Sequence, residues 1–524
     1  MKTKSILSYL LAMIVASGMF SCSSSNNDGD FIPPFNPSPT TPVAYTIMLY
    51  CTGGENLDMG TESDFKKICL GLQKTSNVRA LVQYKYSTQA GMNKQAQDYY
   101  DRYHENYDWL GEAGGLYRLE FKGSMIAENG GMYAFTDAMK WGTQQKNSEM
   151  FQPDSIASFI KYCQQVAPAQ NYILVVGDHG SGYRVEYDYQ KTRAVCSDDF
   201  LEGSPDISCS ELRQGIEKSG VHLRLLNFDD CLMNNLDALS EFTDVTDYVM
   251  ASSHITSGGD FTKFIEFLSV AGTSGDFIGE MSKYMDTFIS EYNSMEETKE
   301  VTKWLPGTKK YCDFVFTDMK TYKAAILPAM KAFTDKLLSE ANAGTLTAAT
   351  MDAAAKGCYQ STVDYPHYDI MQYATLLKNG DSNLDAEYNQ LKAAIDAAQI
   401  KHVYTDVVKD YLNLSTTPYN KLSYNINLGA TVNIGASTAT ILRKSGFDTT
   451  TGTVTCVDEN GKTVVFTPGT PDTFNYNGTK HDLWAWTNSY LLTAFNQQVG
   501  WDRWIRKNTC FPTGNPPFKN ANIR

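Results

Sequence analysis

The sequence lacks a surplus of positive charge. Its 524 residues carry 45 Lys and Arg against 59 Asp and Glu, a formal net charge of −14. A surface of that sign repels phosphates, so nucleic acid is not an expected partner, and long-range steering favours cationic ligands. Close cysteine pairs are also missing. The 11 cysteines include no CxxC, and Cys51, Cys69, Cys163, Cys196, Cys209, Cys231, Cys312, Cys358, Cys456 and Cys510 are widely spaced. That spacing does not encode a compact disulfide framework. Several lie in apolar runs, where a thiol behaves as a small hydrophobe. Histidine is scarce, at seven, and no HExxH or other metal-ligand cluster is present. There is no GxSxG of a serine hydrolase. Gly177, Gly180 and Gly182 form GxxGxG rather than the GxGxxG of nucleotide sites. Beyond the N-terminus no stretch supplies the roughly 20 apolar residues of a membrane helix.

What is present begins with an address. Lys2 and Lys4 precede an apolar stretch from Ile6 to Phe20 that ends in Gly18-Met19-Phe20-Ser21-Cys22. The stretch is too short to span a bilayer comfortably. Its ending resembles a bacterial lipoprotein signal, which implies that Cys22 becomes the lipidated first residue; a plain secretory signal is the alternative. Residues 1–22 are read as this signal, and 23–43, first Ser/Asn/Asp and then Pro-rich, as a disordered tether. The expected location is the cell envelope, anchored by lipid to the outer membrane or surface of a bacterium.

Order begins at the β-rich run Tyr45-Thr46-Ile47-Met48-Leu49-Tyr50. From there strand-like and helix-like segments alternate. Helices are expected at Asp64–Leu72, Asp154–Val166, Ser210–Lys218 and Leu232–Phe242, and strands at Val78–Tyr84, Tyr172–Val176, Leu223–Phe228 and Tyr248–Ala251. Such alternation predicts an α/β fold, a mainly parallel sheet with helices on both faces. Residues 87–116, rich in Tyr and charge, look like a surface insertion. After about residue 300 the pattern changes to helices at Met319–Ala341 and Leu384–Ala398, then to β-rich sequence over 422–467. The reading is an α/β domain over 44–300 and a C-terminal α+β domain or subdomain over 301–524.

Functional groups in open parallel sheets gather beyond the carboxyl ends of the strands. Ile173-Leu174-Val175-Val176 runs into Gly177-Asp178-His179-Gly180, and Leu225-Leu226-Asn227-Phe228 into Asp229-Asp230-Cys231. A thiol is a strong nucleophile as thiolate, and an imidazole nearby can take its proton and protonate a leaving amine. Backbone N–H groups of Gly180 and Cys231 are the candidate oxyanion donors. The two residues lie 231 − 179 = 52 apart, close to the roughly 50 residues between histidine and cysteine in caspases. Asp229 and Asp230 are anomalous, because carboxylates oppose thiolate formation. Strand alternation puts Asp229 on the face of Cys231, where it can instead pair with a basic substrate side chain.

An apolar strand ending in His179-Gly180-Ser181-Gly182, followed by Phe228-Asp229-Asp230-Cys231-Leu232-Met233, resembles the clostripain-like cysteine peptidases of the caspase fold. Gly54-Glu55-Asn56-Leu57-Asp58 and Ser197-Asp198-Asp199 are similar too. The resemblance implies a caspase-like three-layer sandwich, a His179/Cys231 dyad, and Asp229 lining an S1 pocket for Arg or Lys. Asp260 is a weaker second pocket acid, and Asp230 departs from the small residue commoner there. The implied partners are proteins or peptides with basic residues. Self-cleavage in the Tyr183–Pro205 segment is expected, with Lys191 or Arg193 as the P1 residue. No cofactor is indicated by the residues themselves, but the resemblance leaves calcium open, because some relatives need it; Asp198 and Asp199 are candidate ligands, and a solvated acidic loop is the plainer reading of those two. His104, His222, His254, His367, His402 and His481 read as surface or satisfied structural residues. Two other functions compete: a non-catalytic caspase-fold protein, and a nutrient-binding surface lipoprotein that uses the 12% aromatic content.

Overall fold

The computed structural model describes residues 41–504, apart from short internal segments of which the longest are 140–149, 183–194, 197–206, 295–311 and 483–492. Its centre is an eight-stranded sheet. The strands are β1 (Val43–Thr52), β2 (Val78–Lys85), β3 (Leu116–Glu120), β4 (Ala169–Gly177), β5 (Leu223–Asp229), β6 (Thr246–Ala251), β7 (Asp313–Asp318) and β8 (Gln399–Tyr404). They lie in the order β8-β7-β6-β5-β4-β1-β2-β3. The five from β2 through β6 in that order run parallel. β3 at one edge is antiparallel to β2, β7 is antiparallel to β6, and β8 at the other edge is antiparallel to β7.

Strands covered on both faces need apolar side chains in both directions, and β1 supplies them. Met48 and Tyr50 join one core with Leu174, Val176, Leu226 and Phe228. Ile47, Leu49 and Cys51 join the other with Ile173, Val175 and Leu225. Helices α1 (Asp58–Leu72), α5 (Phe261–Ser274) and α6 (Phe277–Ser294) bury their apolar stripes on the second core. Helices α3 (Pro153–Val166) and α4 (Cys209–Ser219) cover the first. Local signals fix their ends: Ser208 and Glu211 form a capping box on α4, and Gly220 ends it at φ 75°.

Several sequence expectations need correction. Beyond residue 301 the chain returns to the central sheet, which β7 and β8 complete, and it also forms small separate sheets of two or three strands between residues 367 and 482. Trp501 and Trp504 belong to the first core, together with α7 (Leu327–Ala343), α8 (Ile370–Gly380) and α9 (Asp385–Ala398). Composition had suggested a break there because the central strands end and helices follow, but the antiparallel edge strands are short and widely separated. The helix expected over Leu232–Phe242 is confined to Leu236–Ser240, capped by Asn235. The Met319–Ala341 helix contains a π-helical turn at Tyr322–Ile326, just ahead of Pro328, whose missing N–H cannot continue the regular ladder. Residues 87–116 hold a Thr88-capped helix, α2 (Gln89–Tyr103), whose return path ties Tyr107 to Glu62 of α1 at 2.8 Å. The eight cysteines whose side chains are described, Cys231 among them, are free thiols. Among the described residues no helix is long and apolar enough to cross a membrane.

Candidate active site

The strand order reverses at β1, because the chain steps to β2 on one side and to β4, β5 and β6 on the other. Ligand sites in such sheets lie at the carboxyl ends beside the reversal. β4 and β5 are in register there, with Gly177 opposite Asp229, so His179 and Cys231 each stand two residues beyond the paired ends. A Cβ on Gly180 would sit 2.3 Å from the Cys231 carbonyl oxygen and 2.7 Å from Asp230 Cβ. Glycine is what allows the two turns to lie against each other. The next residue, Leu232, is held at φ 66°, a left-handed conformation that costs a non-glycine about 1 kcal/mol. Its N–H donates to the His254 carbonyl at 3.0 Å. A strained turn after a strand end presents the nucleophile much as a nucleophile elbow does.

The Cys231 sulfur accepts from the Thr256 N–H at 3.4 Å. Burial pushes the thiol up to about 11; Asp230 and Asp229 push the same way, while the Thr256 and Gly180 N–H groups oppose them. At rest the sulfur therefore keeps its proton, and a base must remove it. His179 Nε2 lies 2.8 Å from Asn56 Oδ1. With Nε2 donating to that oxygen, Nδ1 is the nitrogen left to act as a base. Asn56 arrives on the turn after β1, where Gly54 and Glu55 take φ 46° and 65°. A Cβ on Gly54 would be 3.1 Å from His179 Cδ2. The sequence offered no sign of this partnership, since an Asn in a Gly-rich turn reads as a turn former.

Asp229 faces a group of charges from three helices. Its Oδ1 accepts from Gly259 N–H at 3.1 Å. Burial first, and then Asp64 of α1, push its carboxyl up to about 7, against the pull of Lys67. Lys67 Nζ is 2.7 Å from Asp64 Oδ1 and also feels Asp229 and Asp260. Asp260 caps α5, accepting from Thr262 and Lys263 N–H at 2.9 and 3.3 Å, and its side chain also hydrogen-bonds Glu291 of α6. Asp64, Asp229, Asp260 and Glu291 thus outnumber Lys67 and Lys263, the second of which acts on Asp260 and Glu291. Asp64 and Lys67 were not identifiable from sequence, because they lie on an ordinary amphipathic helix 229 − 64 = 165 residues upstream of Asp229.

Below the turn, Asn425 of a short strand (Asn425–Asn427) donates its N–H to the Asn234 carbonyl at 2.9 Å, and Asn234 Nδ2 donates to the Ser423 carbonyl at 2.9 Å. His254 and His402 flank buried Asp313, each at 2.8 Å. Burial alone would raise that carboxyl, but the two imidazoles outweigh it and hold Asp313 well below the ordinary range. Lys191, Arg193, Asp198, Asp199 and Cys22 lie outside the described residues. Among the described residues, no group of three or more His, Cys, Asp or Glu is arranged to hold a metal ion.

A family model described as the Clostripain family matches residues 50–506. The chain belongs to the clostripain family of cysteine peptidases. Clostripain of Hathewaya histolytica is 26% identical over 229 residues, 41% of this chain, and the match spans 40% of that relative's length. The X-ray structure of a secreted cysteine protease of this family from Bacteroides thetaiotaomicron, in complex with an irreversible peptide inhibitor, is 12% identical with a TM-score of 0.50. It covers 88% of this chain and 99% of that one. A second secreted protease structure from the same organism is 17% identical, with a TM-score of 0.47 over 70% of this chain and 88% of that one. The caspase-like three-layer fold expected from the clostripain resemblance is the fold found.

Proposed function

We propose that this chain is a cysteine endopeptidase that cuts after Arg or Lys with Cys231 as nucleophile and His179 as general base and acid. The observation that carries the reading is the juxtaposition of the His179 and Cys231 turns at the ends of two in-register parallel strands. His179 Nδ1 takes the thiol proton as sulfur attacks the scissile carbonyl, because a thiol near 11 is not ionised beforehand. N–H groups of Gly180 and Cys231 receive the oxyanion, and the imidazolium then protonates the leaving amine. The excess of carboxylates around Asp229 suits a cationic P1 side chain, which replaces mutual repulsion with an ion pair.

The N-terminal Cys22 motif supports a lipid anchor in the bacterial envelope; Cys22→Ala would then release the protein into the medium. Self-activation by a cut after Lys191 or Arg193 follows from the same specificity. The test is a panel of peptides varied at P1, offered to wild type, Cys231→Ala and His179→Ala. Both variants should lose at least a thousandfold in kcat, and the Cys231→Ala chain should stay whole on denaturing gels. Residual activity within about tenfold of wild type, roughly 1.4 kcal/mol of barrier, would rule out the dyad.

A further inference from the structure

Asp178 immediately precedes the proposed base, and Asp230 immediately precedes the proposed nucleophile. The two are joined by a hydrogen bond: Asp178 N–H donates to Asp230 Oδ1 at 2.6 Å. Asp230 is 1% exposed, and its Oδ2 has no hydrogen-bond partner among the described residues. Its Cβ also lies where a side chain at Gly180 would have to go. This acid therefore fastens the end of β4 to the end of β5 at the point where each strand delivers a reactive group.

The surroundings of Asp230 dictate its charge. It faces the carboxyl of Asp178, whose Oδ2 accepts from Thr52 Oγ1 of β1 at 2.5 Å, and Asp229 on its own strand. The thiols of Cys51 on β1, Cys196 beside the Val195–Ile207 bridge, Cys209 on α4 and neighbouring Cys231 also feel it. Among the described residues, no cation is prominent in acting on it. Burial, and then the Asp178 carboxyl, hold it well above the ordinary carboxylate range.

We infer that Asp230 is a positioning residue whose carboxyl oxygen, by accepting the Asp178 N–H, keeps the His179 turn seated on Cys231. The inference rests on the His179/Cys231 reading.

The experiment compares wild type, Asp230→Ala and Asp230→Asn on a peptide with Arg at P1 from pH 6 to 10. Melting temperature and iodoacetamide labelling of Cys231 accompany the kinetics. Asp230→Ala should lower kcat at least 20-fold with KM within twofold. Asp230→Asn keeps an acceptor oxygen and cannot ionise, so it should restore kcat to within threefold of wild type at pH 7. A folded Asp230→Ala with kcat within threefold of wild type overturns the inference, as does an Asp230→Asn no better than Asp230→Ala. Where Asp230→Ala does not fold, Asp230→Asn decides alone: a kcat within threefold of wild type supports the inference, and a 20-fold loss overturns it. If Cys231→Ala is inactive while Asp230→Ala is fully active, only the role of Asp230 is lost; an active Cys231→Ala removes the dyad itself.

Discussion

Replacing Asp229 with Asn should stabilise the fold and impair catalysis together. Burial and Asp64 raise this carboxyl from its ordinary 3.8 to about 7. Between those values the native state holds a proton that the unfolded chain has released. The stability this group contributes is therefore complete below 3.8 and is lost as pH rises through 7. Integrated from pH 5 to pH 8, one fully buried group of this kind costs about 3 kcal/mol, and partial exposure of the side chain brings that to about 2 kcal/mol. Asparagine has nothing to ionise and avoids the loss. Urea denaturation should be run on Cys231→Ala with and without Asp229→Asn, a background that cannot cut itself. The two curves should nearly coincide at pH 5 and separate by about 2 kcal/mol at pH 8, with the Asn chain the more stable. In the active background, Asp229→Asn should lower kcat/KM for Arg at P1 at least 30-fold, and for Ala at P1 little, through loss of about 2–5 kcal/mol of charge pairing. A difference in stability that does not change with pH, or equal losses for Arg and Ala, would refute the argument.

The remaining predictions concern geometry. Asn56→Ala removes the acceptor from His179 Nε2 and should lower kcat about tenfold with little change in KM. Gly180→Ala puts a methyl group 2.3 Å from the Cys231 oxygen and should abolish measurable turnover. Gly60→Ala, with nothing within 4 Å of the added atom, should keep activity and add about 0.5–1 kcal/mol of helix stability, read by denaturation. Trp501 is fully buried and donates to the Asn427 carbonyl at 2.8 Å, so Trp501→Ala should cost about 3–5 kcal/mol in urea unfolding. The KM for Arg substrates should fall as pH rises through about 7, because Asp229 must ionise to pair with the incoming cation.

The parallel core was legible because β1, β4 and β5 are continuous apolar runs that stop at Gly or Asp, which marks both the strand and its carboxyl end. For the same reason His179, Gly180, Cys231 and Asp229 could be chosen from one dimension. Asn56, Asp64 and Lys67 could not, since their roles come from where β1 and α1 lie relative to β4 and β5, and no local pattern encodes that. Alternation gave the directions of Asp229 and Asp230 but not their charge, which depends on burial and on Asp64 and Asp178. The last two strands of the sheet were missed because Asp313–Asp318 and Gln399–Tyr404 are six residues each and are flanked by long helices that dominate the pattern.

The bracing of the Cys231 turn by Asn425 sets an order of events during synthesis. The Asn234 carbonyl and side chain find their partners only when residues 423–425 arrive, 425 − 234 = 191 residues later. At ordinary elongation rates that interval is roughly 10–40 s. Until then β5 can pair with β4, yet the turn at its end lacks its lower support and the sheet lacks its far edge. Contacts this distant in sequence form late. A nascent chain of this protein thus carries its reactive thiol long before it carries the means to aim it, and the cell meets a finished site only after nearly the whole polypeptide has been made.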